Sequence, residues 1–304
     1  MTFSELIAVY LFLGGTSAGS YVVLALLDVW MLVRRRFGWG CDYHAPKRLC
    51  ETTYQRIRRI VYGVSLAIII IGILCLIADL GRPDAFYYLL LYPTHSLVSI
   101  GALALSLLSV SLLASFCDAA FALSLRVRRA LWVLKIAGIP VAVVVMAYTG
   151  LLLKSVVAVK LWQTYWLPVL FVLSALSCGC AVVLLGMCSC EDRRATKPWE
   201  EGLLRADLAF VALEIVATAL LCASLFASSG FDALQNLWTG NHALLFWVGF
   251  VGCALLLPLA AETAFVARRR RPAAASAASI SGLVLVGGLC LRLVMVAAGV
   301  QPVA

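Results

Sequence analysis

Charge is the first thing this sequence runs short of. Only 13% of its 304 residues are Asp, Glu, Lys or Arg, against 63% hydrophobic residues and a mean hydropathy of +1.02. That balance excludes both a soluble globular domain and a disordered chain. Histidine is scarcer still: His44, His95 and His242 are the whole set. A di-haem membrane cytochrome needs pairs of axial histidines inside its helices, and this chain cannot supply them. Cysteine is plentiful at 11 residues, but no C-x2-C-x2-C run occurs, so no ferredoxin-type iron–sulfur cluster is expected. The cluster at Cys178, Cys180, Cys188 and Cys190 contains C-x-C pairs whose side chains diverge on a helix, which suits small-residue packing better than ligation.

What fills the chain instead is apolar runs. Eight stretches, roughly 5–33, 59–79, 95–122, 132–154, 166–189, 204–228, 242–266 and 276–299, are each long enough to cross about 30 Å of hydrocarbon at about 1.5 Å per residue. In lipid such segments must be helical, because every backbone N–H and C=O has to be satisfied within its own segment. The expected fold class is therefore all-α, a polytopic bundle of eight transmembrane helices in one integral membrane domain, 1–304. The first stretch is far longer than a signal-peptide core and reads as retained.

Basic residues give the direction. Alternate connections and their flanks carry 20 of the 24 Lys and Arg residues: 34–36, 47, 48, 56, 58 and 59; then 126, 128, 129 and 135; then 193, 194, 197 and 205; then 268–271. By the positive-inside rule these connections are cytoplasmic and both termini are external, in a prokaryotic cytoplasmic membrane. The net charge of +9 then reflects topology and contact with anionic membrane lipid, and does not argue for nucleic acid. Cys41 and Cys50 fall on the reducing side, where disulfides are not expected. All connections are short, so any chemistry on soluble substrates has to reside on another subunit.

A weak internal repeat is visible. The first span reads SAGSYVVL from Ser17 and the fifth reads SCGCAVVL from Ser177. Tandem four-helix halves of parallel topology, 1–155 and 160–304, and chance similarity between apolar helices both account for it. After the second span, Asp79-Leu-Gly-Arg-Pro-Asp84 leads into an aromatic segment with Tyr87, Tyr88 and Tyr92. It reads either as a short helix in the outer surface or as an ordinary aromatic-belt loop.

Ionisable groups inside spans are costly, about 2.5–3.5 kcal/mol each at a helix centre on insertion scales. Glu214 lies nine residues beyond Arg205, hence about 13 Å deep. Arg292 lies seven residues before Gly299, roughly 10 Å from the outer surface. Asp79 ends the second span, with Arg82 three residues on. The outer part of the fourth span adds Tyr148, Thr149 and Lys154, and that of the first adds Gly14, Gly15, Thr16, Ser17 and Gly19. Two readings stand side by side: an ion pair between Glu214 and Arg292 that stitches the bundle, and a water-accessible cleft open to the outer side. Asp28, Asp118 and Glu262 lie near cytoplasmic helix ends and are expected to pair with nearby Arg.

Taken in order, YLFLGGTSAG (Tyr10–Gly19), DLGRP with its aromatic tail (Asp79–Tyr88), AYTGLLL (Ala147–Leu153), the Glu214 helix and LRLVMVAAG (Leu291–Gly299) resemble the NrfD/PsrC family of quinol-interacting membrane subunits. The resemblance runs nearly the whole chain. It implies electron exchange between menaquinone or ubiquinone and a four-cluster ferredoxin-like iron–sulfur subunit on the external face. That subunit in turn serves a molybdopterin or cytochrome c catalytic subunit, and this chain has no haem or iron–sulfur cluster of its own. On this reading Gly14, Gly15, Thr16, Ser17, Gly19, Arg82 and Tyr148 contribute to the quinone pocket, while Asp79, Glu214 and Arg292 are proton-relay candidates. Some family members set a first-span His against the quinone; here Thr16 or Ser17 would have to take that place. Rival readings are a secondary transporter, for which Pro140 and Pro258 would interrupt spans, a proton-translocating subunit of a redox complex with a path beginning at Asp28, Glu262 and Lys135, and a purely structural anchor.

Overall fold

A computed structural model describes residues 5–36, 47–79, 96–121, 123–156, 159–190, 193–229, 238, 240, 242–267 and 273–300. Eight helices in it are long and apolar enough to cross a membrane. They are α1 (Glu5–Arg36), α2 (Lys47–Asp79), α3 (Leu97–Ala120), α4 (Leu125–Lys154), α5 (Trp166–Cys188), α6 (Arg193–Ser229), α7 (Leu245–Ala267) and α8 (Ala274–Val300). With eight crossings, α1 begins and α8 ends on the same side, here the terminal end; the basic connections lie at the opposite, basic end. Arg82 and the aromatic segment from Ala85 to Pro93 fall outside the described residues.

Helices overrun the apolar stretches wherever the flanking sequence is helix-compatible. α2 starts at Lys47 and α4 at Leu125, well before the hydrophobic runs, because Lys, Arg and Glu are good helix formers that water accepts as readily as lipid accepts Leu. Pro140 lies within an unbroken α4. Pro258 acts differently. The first half of α7, Leu245–Leu256, is wound as a π-helix, and Leu257 N–H still bonds the Gly252 carbonyl. The wider winding fits a proline that removes one donor and would clash with the carbonyl four residues back in α register.

The centre of the bundle is the pair α1–α5. Of their most apolar windows 67% and 72% is buried, against 28% for α6 and α7. The two small-residue waists meet there. A Cβ at Gly19 would overlap the Ala175 carbonyl, and one at Gly179 would overlap the Gly19 carbonyl. Backbone therefore touches backbone, which is how helices gain close packing where lipid supplies no hydrophobic drive. Trp162, fully buried in the α4–α5 connection, donates its indole N–H to the Met295 carbonyl (2.7 Å) and ties that connection to the end of α8.

At the basic end the spans are joined by charge. Asp28 of α1 receives Lys135 Nζ at 2.8 Å and Arg58 Nε at 3.0 Å, together with the hydroxyls of Tyr54 and Tyr62. Asp118 of α3 receives Arg58 Nη2 at 2.6 Å and Arg128 Nε at 3.6 Å. Asp28 and Asp118 thus pair with basic residues, as their positions in the sequence suggest. Glu262 pairs with none among the described residues: it is fully buried, neither of its oxygens makes a hydrogen bond of good geometry, and it faces Asp207 of α6. The four arginines that follow it in sequence, 268–271, lie outside the described residues, and helix phase turns Glu262 inward.

Four helices share the Asp28–Arg58–Lys135–Asp118 network, so removing one member strands the others in a dry site. Lys135→Ala should lower stability by about 3–5 kcal/mol, read as the midpoint of chemical unfolding in detergent. An Asp28→Asn, Lys135→Met pair should lose less than the sum of its parts. An unchanged midpoint in Lys135→Ala would show that the network does not hold the bundle together.

Candidate functional site

Two polar groups, on opposite faces of α1, contain most of the residues singled out from the sequence. The first is at the terminal end. Tyr148 of α4 is buried at 3% exposure and faces Tyr10 of α1. Asp79, the last residue of α2, is half-buried and lies within electrostatic reach of Tyr10. Gly101 of α3 lets the Tyr148 ring in: a Cβ there would collide with it. The spacing of Tyr10 and Gly14 on one helical face explains the grouping, since both turn toward α2 and α3, where Gly14 meets Leu105 and Gly72.

The second group lies deeper and on the other face of α1. Arg292 of α8 is fully buried. Its Nη1 donates to Ser174 Oγ (2.6 Å) and to the Gly288 carbonyl (2.9 Å), and its Nη2 to the Phe171 carbonyl (3.3 Å). The guanidinium carbon stands 5.1 Å from the centre of the Phe171 ring and 6.0 Å from that of Phe12, distances at which a ring face stabilises a cation. Gly15 and Gly288 leave it space, each with a hypothetical Cβ 3.5 Å from a guanidinium nitrogen. Glu214 of α6 is 1% exposed and faces Ser174 as well. Ser174 is thus interposed between cation and acid, a hydroxyl that accepts from one and can donate to the other. No direct ion pair joins them among the described residues, and Arg292 Nε, Glu214 Oε1 and Thr16 Oγ1 all lack a hydrogen bond of good geometry.

Buried acidity continues from here toward the basic end. Glu214 is within electrostatic reach of Asp207, which accepts a hydrogen bond from Ser177 Oγ (2.7 Å) and faces Glu262. Asp207 is 1% exposed. Sequence reasoning misses it because Arg205 beside it marks a membrane boundary; the available signal is an acid already inside the apolar run. Tyr10 is missed as well, since a tyrosine near a helix end reads as an interface anchor.

The remaining candidates separate. Ser17 donates to the Ser65 carbonyl (2.9 Å), and Ser20 shares a 2.6 Å hydrogen bond with Ser65, so these hydroxyls join α1 to α2. The space beside Gly19 is filled by the Ala175 carbonyl at the helix crossing. Asp79 and Tyr148 come together around Tyr10; Gly15, Thr16, Glu214 and Arg292 come together around Ser174 and Cys178.

Fold and buried groups together define a polytopic integral membrane protein whose interior carries carboxylates, guanidiniums and facing phenols. The chain belongs to the NrfD family: the family model "Polysulphide reductase, NrfD" matches residues 1–304. It is similar to a polysulfide reductase protein of Wolinella succinogenes, 29% identical over 284 residues covering 85% of this sequence and 82% of that one. The NrfD protein of Escherichia coli is 28% identical over 323 residues, covering 98% and 95%. A selenate reductase component of Mesobacillus selenatarsenatis is 27% identical over 171 residues, 54% of this sequence and 38% of its own.

The Arg292 group makes its own prediction. If Ser174 couples the two charges, Arg292→Met and Glu214→Gln should each destabilise, and the double variant should fall short of their sum by about 0.5–3 kcal/mol. The measurement is a double-mutant cycle on unfolding in detergent; strict additivity would mean the two charges act independently.

Proposed function

We propose that this protein is the quinone/quinol-binding membrane subunit of a respiratory oxidoreductase, exchanging electrons between menaquinone or ubiquinone and a partner iron–sulfur subunit at the external face. The observation that carries the reading is the Tyr10–Tyr148–Asp79 group at the terminal end, in a family whose relatives include components of polysulfide and selenate reductases. The basic connections then face the cytoplasm of a prokaryotic cell and the terminal end faces outward. A four-cluster ferredoxin-like subunit docks there and leads to a molybdopterin or cytochrome c catalytic subunit.

Chemistry supports these roles. Oxidising a quinol releases two electrons and two protons. A phenol such as Tyr148 can donate a hydrogen bond to a ring oxygen, and the carboxylate of Asp79 can take a proton at a site near the water interface. Asp79 is half-buried at the end of its helix, which suits a group that must exchange protons with bulk water. Gly14 adds a thin stretch of α1 wall to this group, while Arg292, Glu214 and Gly15 form the deeper group on the other face of α1 and serve as proton-relay candidates. The whole chain acts as one membrane domain, and its two halves, 1–155 and 160–304, are read as parallel repeats whose waists touch at Gly19 and Gly179.

A second reading, proton translocation within such a complex, is favoured by one specific observation. Buried acids follow one another from Glu214 to Asp207 and Glu262, from the Arg292 group toward the basic end.

In the assembled complex, Asp79→Asn should lower quinol-dependent electron transfer by roughly 100-fold or more, the scale of a lost general base. Tyr148→Phe should raise the KM for quinol roughly fivefold, as for one lost hydrogen bond, and weaken inhibition by quinone-site inhibitors. Full turnover in Asp79→Asn would remove that carboxylate from the proton route. Proton release measured in proteoliposomes separates the second reading: Glu262→Gln should lower translocation while sparing electron transfer.

A further inference from the structure

At the basic end, α1, α5 and α6 enclose a slot that the quinone reading does not use. Its volume is about 360 Å³, and it is lined by Val23 and Trp30 of α1, Cys180 of α5, and Gly202, Leu203 and Phe210 of α6. α5 is the floor, packed against both neighbours, while α1 and α6 scarcely touch and stand as walls. Leu26 and Trp30, 54% and 41% exposed, mark the open side. Gly202 is exposed with nothing within 4 Å of a Cβ built on it, so the gap at the mouth is made by a missing side chain.

The slot is built, because its end wall is fixed from inside. Trp199 is 3% exposed and its ring lies 5.1 Å from that of Tyr54, whose hydroxyl is bonded to Asp28 in the charged network. Along α6 the lining runs from Trp199 to Phe210, eleven residues, or about 16 Å at 1.5 Å per residue. Arg205, which marks the membrane boundary in the sequence, falls within that length, so the slot straddles the interface.

We propose that this slot binds one acyl chain of an anionic phospholipid from the leaflet at the basic end. Charge complementarity selects the headgroup. Arg205, exposed on α6 three residues from Gly202, can extend its long stem to the interface. In the sequence Arg34, Arg35 and Arg36 close α1, and Arg193, Arg194 and Lys197 lie in the first residues of α6. Apolar walls that straddle the interface, a gap at Gly202, Trp30 and Trp199 in the lining and the exposed Arg205 together fit a phosphodiester lipid. The proposal stands whether or not the terminal end handles quinone.

The test is native mass spectrometry of the purified protein, with whatever subunits accompany it, after exchange into an equal mixture of phosphatidylglycerol and phosphatidylcholine. Wild-type protein should retain phosphatidylglycerol in preference. Gly202→Trp should lose the retained lipid, whereas Val286→Trp, on an exposed face of α8, should not. Arg205→Gln should reduce the preference for phosphatidylglycerol about fivefold, as about 1 kcal/mol per basic residue near an anionic surface implies. Equal retention of the two lipids by wild type overturns the proposal, as does a Gly202→Trp protein that behaves like Val286→Trp, or one that loses quinone instead of phospholipid. Should Gly202→Trp fail to fold, the wild-type preference and Arg205→Gln decide alone.

Discussion

A polar side chain in this protein has nowhere to go but inward, and that constraint organises the rest. Hydrocarbon offers no partner to an amide, a carboxylate or a guanidinium, so each such group must find one on a neighbouring helix. Asp28 collects a lysine, an arginine and two phenols; Arg292 collects a serine and two carbonyls. The helices are consequently held in register by a few strong polar clasps, with apolar packing filling the intervals. The clasps differ in kind: at the basic end each charge meets an opposite one, whereas in the deeper one Ser174 stands between Arg292 and Glu214 and no ion pair joins them among the described residues.

Much of this is legible in the residues. Apolar length gives the number of helices. The cost of burying charge flags Glu214 and Arg292 before any geometry is known. What stays hidden is angular. On a helix, one residue of shift is a 100° turn, so a sequence that locates Glu262 near the arginines at 268–271 says nothing about the face on which it emerges. Its actual neighbour, Asp207, belongs to another helix and is masked by the adjacent Arg205. Tyr10 is a similar case, an ordinary interface tyrosine until Tyr148 is placed against it. Helix ends escape for a different reason: hydrophobicity marks where lipid stops, whereas α2 and α4 carry on into water.

The family relationship gains physical content from these contacts. Of the segments that carry the resemblance, those on α1, α4, α6 and α8 and the residue Asp79 at the end of α2 contribute to the two groups that flank α1. Tyr10–Gly19 supplies both groups, one from each face, which explains why a motif so poor in functional side chains is nonetheless distinctive. Gly15 of this motif leaves room for the Arg292 guanidinium, while Gly101 of α3 admits the Tyr148 ring on the other face.

The glycine crossing of α1 and α5 has a consequence for motion. Where backbone rests on backbone, with a carbonyl of one helix in the space a side chain of the other would need, neither element can rotate or slide without collision. The two central helices form a stiff axle, and conformational freedom is left to the rim, above all to α6 and to α7 with its loosened winding. Movement is left to the periphery about a stationary hub, and Gly15 of α1 and Ser174 of α5, both on that hub, hold their side of the guanidinium site in place.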